Sequence, residues 1–281
     1  MKIGIQGGRA SYHEAAVQNL HPENIEIVYY KTFFDLFQAL KNKQVDRIVS
    51  AIANNRVQYI PDPYLYLTTP ESGYKIVGET YIKVNHMLLG APGARLSDIR
   101  EIHSQAPAIG QCQHFLETHL PDVELVEADD TAGSAELISK LGDKSKAAIA
   151  SELAGQIYGL DVLAPSIQDD PENITRFFEI ILTENDVEIR RSDKTTMLLW
   201  TPQTVGALAG ALDMFRDDNI NIASLQSKII PNTPFDMVFF VEFEAGIEQE
   251  NVKKLLSELT EKGYKTEILG SYTKFDLSGK F

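Results

Sequence analysis

Short apolar runs alternate with amphipathic ones along most of the chain. Lys2–Ile5 reads as a strand, Gln6-Gly7-Gly8 as a turn and Tyr12–Leu20 as a helix. Strand Ile25–Tyr30, helix Phe33–Asn42 and strand Arg47–Ile52 follow. Strands alternating with helical patterns predict βαβ units and a mainly parallel sheet. Between about Ile76 and Leu89 the runs lengthen, as in Tyr74–Glu79 and Asn85–Leu89. A second series then begins: Glu101–His103, helix Ile109–His119, Glu124–Ala128, helix Ser134–Leu141, strand Ala147–Ala150 and a helical Ser151–Tyr158. Turn residues within Val162–Phe178 lead into a strand over Phe177–Leu182. Two α/β lobes joined by crossing segments place a cleft between them, and such clefts are favoured ligand sites.

The charged run Thr183–Lys194 reads as a linker. Beyond it come strand Thr195–Trp200, helix Val205–Asp217, strand Asn221–Ile230, alternating strand Phe235–Phe243, helix Glu248–Lys262 and strand Lys265–Tyr272. That βαββαβ order predicts a ferredoxin-like unit, two helices on one antiparallel sheet.

Length and composition narrow the class. A chain of 281 residues predicts two or three compact units, and 43% hydrophobic with 23% charged residues suits a globular protein. The net charge of −14 argues against a nucleic-acid or anionic-membrane partner. An anionic substrate gains nothing from such a field, so local donors in the cleft must hold it. Cys112 is the only cysteine, which rules out an intramolecular disulfide and suits a reducing compartment. The six His are scattered without zinc spacing, so no metal site is expected. No apolar stretch approaches the ~18 residues of a membrane span. The chain opens into a strand-like run without a basic n-region and apolar core, so a cytoplasmic location is expected.

Individual motifs carry little alone. Gly7-Gly8 lacks the spacing of a phosphate loop. His13, His86 and His103 read as structural. Asn54 followed by Asn55 is a turn signal, Ser104 suits a helix cap, and Gln111 suits a helix surface. Arg176 in Asp169–Phe177 either forks onto a carboxylate or pairs with a nearby acid, while the Thr175 hydroxyl donates or relays a proton. Val205-Gly206-Ala207-Leu208, opening a helix after a strand, reads as a plain turn or as a carboxylate cradle.

Taken together these stretches are specific. Residues 194–273 resemble an ACT domain, a module that binds amino acids at subunit interfaces. Gln6-Gly7, Ser11–Ala16, Lys75–Glu79, Asp130–Ala135, Ala147–Ala154 and Ala164–Phe177 are similar to prephenate dehydratases, and the resemblance extends over essentially the whole chain. It implies a periplasmic-binding-protein-like, two-lobed α/β catalytic region at 1–183, second lobe about 79–158, with the ACT unit behind it. The implied reaction needs no cofactor: prephenate loses its ring hydroxyl and ring carboxylate and becomes phenylpyruvate, in phenylalanine biosynthesis. The resemblance implies Thr175 as catalytic donor, with Asn54, Ser104, Gln111, Arg176, Phe177, Ser11, Thr131 and Ala132 binding substrate. It further implies L-phenylalanine as allosteric ligand at Gly206, Ala207, Leu208, Asn221, Ile222, Gln226 and Ser227, and a homodimer or homotetramer.

Three stretches depart from the family pattern. Ala53-Asn54-Asn55-Arg56 lacks the usual Glu and hydroxyl around the Asn; Ser104-Gln105-Ala106-Pro107 stands for Ser-His-Pro-Gln; Gln226-Ser227-Lys228-Ile229 stands for Glu-Ser-Arg-Pro. Arg56 is a candidate replacement carboxylate contact. The loop change leaves room for two rivals: a decarboxylase that does not aromatise, and a non-catalytic ligand sensor.

Overall fold

Fifteen strands and nine α-helices are described in a computed structural model covering residues 1–23, 25–56, 58–185, 192–230 and 233–278. The strands are β1 (Lys2–Gln6), β2 (Glu26–Tyr30), β3 (Arg47–Asn54), β4 (Gln58–Tyr59), β5 (Tyr74–Lys83), β6 (Met87–Gly90), β7 (Glu101–Ser104), β8 (Glu124–Glu127), β9 (Lys146–Ala150), β10 (Asp161–Ala164), β11 (Ile174–Leu182), β12 (Lys194–Trp200), β13 (Ile222–Ile229), β14 (Met237–Phe243) and β15 (Lys265–Tyr272). The helices are α1 (Tyr12–Leu20), α2 (Phe33–Lys41), α3 (Pro61–Leu67), α4 (Ala106–Gly110), α5 (Gln113–His119), α6 (Thr131–Leu141), α7 (Glu152–Tyr158), α8 (Ala207–Asp217) and α9 (Glu250–Glu261). Residues 186–191 of the linker-like run, and Val57 of the loop after Asn54, lie outside the described residues.

The first lobe is a sheet of order β2-β1-β3-β11-β5, with β4 added to β3. Its first three strands are parallel, whereas β11 runs antiparallel to both β3 and β5. The second lobe is a sheet of order β10-β6-β9-β7-β8. The chain crosses between lobes twice, after β5 and before β11, which gives the two-lobed arrangement expected. The second sheet spans 87–164 rather than 79–158, because β5 stays paired with β11 from Tyr74 through Lys83.

The C-terminal unit has the expected βαββαβ order and an antiparallel sheet of order β13-β14-β12-β15. Its two faces do different work. Met197, Leu199, Val241 and Phe243 pack under α8 and α9 against Phe215, Leu255 and Leu259. On the other face Leu198, Val238, Phe240, Leu269 and Tyr272 join one buried cluster with Phe37, Tyr64, Tyr74, Ile76 and Phe178 of the first lobe. The alternation along β12 and β14 therefore serves two cores, one of them shared between units.

At the centre of this shared face lies a buried four-charge cluster. Arg176 on β11 donates from Nη1 to Glu242 Oε1 at 2.8 Å and from Nε to Glu79 Oε2 at 2.8 Å. Lys194 on β12 reaches the same Glu79 carboxylate at 2.8 Å and Glu242 at 3.4 Å. Burial works to raise the Glu242 carboxyl, but Arg176 and then Lys194 outweigh it and hold the group below its ordinary value. The tail after β15 adds a strap: the Phe275 N–H donates to Glu79 Oε1 at 3.1 Å, and its ring lies 5.3 Å from that of Tyr81.

The backbones of β15 and β5 approach closely where Gly270 meets Ile76. A Cβ at Gly270 would stand 2.0 Å from the Ile76 carbonyl oxygen, so only glycine fits. Gly270→Ala is expected to force the two units apart and to cost about 1–3 kcal/mol or more, read as a lowered unfolding midpoint in urea.

Candidate active site

A cavity of about 280 Å³ opens between the lobes. Its polar lining includes Ser11, His13, Asn54, His86, Gln111 and Thr175; Phe33, Ile60, Val84 and Phe177 form apolar wall. Among the described residues no Lys or Arg lines it. The cleft has to be read through neutral donors.

Thr175, Asn54, Asn173, Gln111 and His86 form one chain of hydrogen bonds that crosses from lobe to lobe. Asn54, the last residue of β3, donates from Nδ2 to Thr175 Oγ1 at 2.8 Å and to Asn173 Oδ1 at 2.7 Å. Asn173 in turn donates to Gln111 Oε1 at 2.8 Å, and His86 Nε2 lies 3.1 Å from the same oxygen. At the far end the Tyr12 hydroxyl donates to the Asn85 carbonyl at 2.7 Å. The Arg56 backbone N–H fixes Asn54 Oδ1 at 2.8 Å. Each amide orientation is set by its neighbours, and the result is directional. Thr175 Oγ1 accepts from Asn54, and among the described residues no acceptor takes its own proton. That proton is available to a ligand in the cavity. The Gln111 NH2 is likewise without a described partner.

Local structure explains these positions. Thr175 pairs with Asn54 across the β3–β11 ladder, so two strand ends bring both side chains to one edge. The helix expected over Ile109–His119 is broken: α4 ends at Gly110, and Cys112 (φ −118°, ψ 15°) starts α5. Gln111 therefore caps the end of α4 and faces the cleft instead of decorating a helix surface. Asn173 escaped the sequence reading; its place two residues before Thr175, in the segment crossing back between lobes, was the signal.

Several expected contacts are arranged differently. Phe177 lines the cavity beside Thr175, but Arg176, one residue between, points to the opposite face of β11 and is consumed by Glu79 and Glu242. Period-two alternation along a strand is the reason. The Ser104 hydroxyl is fully buried and donates to the Ile149 carbonyl at 2.8 Å, behind the cavity wall rather than on it. Ser11 and Thr131 line the cavity at the first turns of α1 and α6. Ser11 also caps Glu14 N–H, and Asp130 caps Gly133 N–H. Ala132, in the same first turn, is buried and is not part of the cavity lining. Arg56 pairs with Asp170.

His13 and His86 do not behave as simple structural residues: both stand in the cavity wall. His13 Nε2 accepts the Ala51 N–H at 3.2 Å, so its proton sits on Nδ1, and its ring meets Phe177 edge-on at 5.1 Å. Burial pushes His13 down to about 4 and lowers His86 too, the Gln111 bond opposing the latter in part. Both are neutral at physiological pH and unsuited to carry a proton there. Burial, followed by the nearby Asp169, lifts the Cys112 thiol to about 12, which removes it as a nucleophile.

Comparison with known proteins decides what this cleft belongs to. The family model for prephenate dehydratase matches residues 3–185. The chain belongs to the prephenate dehydratase family. A bifunctional chorismate mutase/prephenate dehydratase of Aquifex aeolicus is 33% identical over 98% of this chain and 74% of its own length. The Arabidopsis thaliana arogenate dehydratase/prephenate dehydratase 2 is 34% identical over 97% of this chain and 72% of its own length. Among solved structures, GqqA, described as a novel type of quorum quenching acylase, has a TM-score of 0.85 at 28% identity, covering 97% of each chain. A prephenate dehydratase from Arthrobacter aurescens in complex with L-Phe has a TM-score of 0.83 at 23% identity, covering 98% of this chain and 90% of that one. This chain is thus an enzyme of the prephenate dehydratase family. No described helix is long and apolar enough to cross a membrane.

The lowered histidines give the fold a pH signature. The unfolded chain binds protons near pH 6.5 and the folded one only near 4 at His13, so stability is fully present above about 6.5 and falls as pH drops below it. Urea unfolding between pH 7 and 5 should show a slope of up to about 1.4 kcal/mol per pH unit for each such histidine. His13→Gln, which can still accept the Ala51 N–H, should remove the His13 share and leave that of His86.

Proposed function

We propose that this enzyme converts prephenate to phenylpyruvate, water and carbon dioxide, for phenylalanine biosynthesis. The observation that carries the reading is the Thr175 hydroxyl, held as an acceptor by Asn54 so that its own proton is directed into the cavity. In the reaction the bond from the ring to the hydroxyl breaks as the bond from the ring to the carboxylate breaks. The carboxylate electrons enter the ring, the hydroxyl leaves with one added proton as water, and carbon dioxide departs. Aromatisation supplies the driving force, so the enzyme's share is orientation and help to the leaving hydroxyl.

Each wall of the cleft suits part of that task. Thr175 donates to the departing hydroxyl. Gln111, with the first-turn N–H groups of α1 and α6, provides neutral donors for carboxylates. Phe33, Ile60, Val84 and Phe177 offer a dry region in which a carboxylate loses charge as neutral carbon dioxide. His13 and His86 orient the wall without becoming charged. The substrate is thereby held by local neutral donors, since the acidic net charge of −14 offers an anion no attraction.

The C-terminal unit is read as an ACT-type sensor with L-phenylalanine as its ligand, in a homodimer or homotetramer. The support is its βαββαβ fold and the open depression formed by Thr201–Ala209 around Gly206, whose φ of 80° only glycine adopts freely. Ala207 and Leu208 belong to that depression. Asn221 is bonded to Glu244 at 2.9 Å, and Ile222 begins β13 beside it. Ser227 is exposed on β13, but Gln226 turns inward to the Tyr64 hydroxyl at 3.2 Å, so it reports to the first lobe instead of a surface ligand.

Phenylpyruvate formation from prephenate, followed by alkaline absorbance, tests the reading directly. Absence of product with prephenate still bound would defeat it, and turnover of arogenate alone would move the assignment to the amino substrate. Thr175→Ala should lower kcat about 100-fold or more with the fold intact, while Thr175→Ser retains much of the rate. Added phenylalanine should inhibit or change the molecule's size in solution; a flat response removes the sensor assignment.

A further inference from the structure

β11 carries two functions on its two faces. Thr175 and Phe177 line the cavity, and Arg176 between them is sunk into the shared interface, with its side chain 13% exposed. Its guanidinium is fully engaged: Glu79 and Glu242 take its N–H groups, Nη2 lies 3.5 Å from the Tyr272 hydroxyl, and the group sits 4.5 Å above the Phe178 ring. Two of the four buried charges, Arg176 and Glu79, belong to the first lobe. The other two, Lys194 and Glu242, belong to β12 and β14 of the C-terminal unit.

On its β3 side the strand is irregular where this matters. The β3–β11 register shifts between Arg176 and Phe177, so the paired end Thr175–Asn54 is set apart from the regular ladder that follows. The β5 ladder continues unbroken through residues 174–176, so the backbone is held on that edge, and what the β3 side lacks is a second fixed reference for the Thr175 edge. A planar fork gripping one carboxylate through two nitrogens fixes both distance and angle. Parting Arg176 from Glu242 would break the two-nitrogen fork in a dry interface and leave each group with one remaining ionic partner, Glu79 or Lys194, so the pair resists separation. Packed apolar residues would bind the two units as firmly without defining that geometry.

We propose that Glu242 of the C-terminal unit is a positioning residue for Thr175, acting through Arg176. The cleft is then fully arranged only while the C-terminal sheet holds this contact. The proposal rests on the dehydratase reading for its effect on rate. It also gives the C-terminal unit a route to the reaction: any ligand that favours a different seating of β14 withdraws the support behind Thr175.

The test compares full-length Glu242→Gln with Leu269→Ala, which weakens the same interface through its apolar part. Glu242→Gln should lower kcat about 10- to 100-fold and leave KM within about twofold, Glu242→Asp should recover part of the rate, and Leu269→Ala should keep kcat at equal loss of thermal stability. Equal kcat in Glu242→Gln and Leu269→Ala would overturn the proposal. Should Glu242→Gln not fold, Glu242→Asp against Leu269→Ala makes the same comparison. Hydrogen exchange at residues 174–177 is read in parallel and needs no turnover. If the unaltered enzyme forms no phenylpyruvate, the dehydratase reading fails by itself. Faster exchange in the Glu242 variant than in Leu269→Ala then supports the coupling, and equal exchange overturns it.

Discussion

The antiparallel insertion of β11 between β3 and β5 is the constraint from which the rest follows. The strand returns from the second lobe, so its first residues meet the end of β3 at the mouth of the cleft, and its later residues enter the first-lobe core. One strand therefore carries cavity-facing Thr175, interface-facing Arg176 and core-facing Phe178 within four residues. A register slip of one residue would exchange the hydroxyl for the guanidinium in the cleft. The apolar anchors Phe178, Ile180 and Leu182 resist that slip, since each is almost wholly buried in the shared core. The chemistry at the mouth is thus held by hydrophobic packing some way down the strand.

A second consequence concerns charge. The chain keeps its buried cations, Arg176 and Lys194, out of the cleft and balances them against Glu79 and Glu242. Beyond the Asp130 carboxylate, which caps α6, the cleft is left with amides, hydroxyls and neutral imidazoles. A neutral donor set binds a dianion less tightly than an arginine pair would, but it does not stabilise the ring carboxylate that has to depart. Donors strengthened by a dry wall and aimed at the leaving hydroxyl favour the transition state over the bound ground state. The hydrogen-bond chain from His86 to Thr175 serves that end by fixing direction, which single amides cannot do in water.

The order of elements was legible because each has a clean hydrophobic period. Both α/β series and the βαββαβ unit follow from alternation and helical spacing, and Thr175, Asn54 and Gln111 do share one cavity. What escaped depends on contacts distant in sequence. The extent of β5 is set by pairing with β11, about a hundred residues later. The family resemblance placed Arg176 in the cleft, whereas strand alternation turns it away and it pairs with acids instead. The role of Asn173 was hidden because an Asn before a strand reads as a turn residue whether or not its amide links two lobes. Helix α3 was missed because its seven residues start with two prolines in Pro61-Asp62-Pro63, which punctuates as a loop.

The departures from the family pattern after β3 find their account in the segment that crosses back to β11. Asn55 donates from Nδ2 to the Glu172 carbonyl at 2.6 Å, accepts the Ile174 N–H at 2.9 Å, and its own N–H donates to the Ile174 carbonyl at 3.1 Å. Arg56 adds an ion pair to Asp170. A short hydroxyl at position 55 could not span both sides of that segment, whereas a carboxamide has a donor and an acceptor for the purpose. The altered loop is therefore a clasp that closes on Asp170–Ile174 immediately before Thr175. Arg56, spent on that clasp, is not free to replace a substrate contact. Its effect on the reaction runs through the backbone N–H that holds Asn54 Oδ1, and so through the orientation of the Asn54 amide toward Thr175.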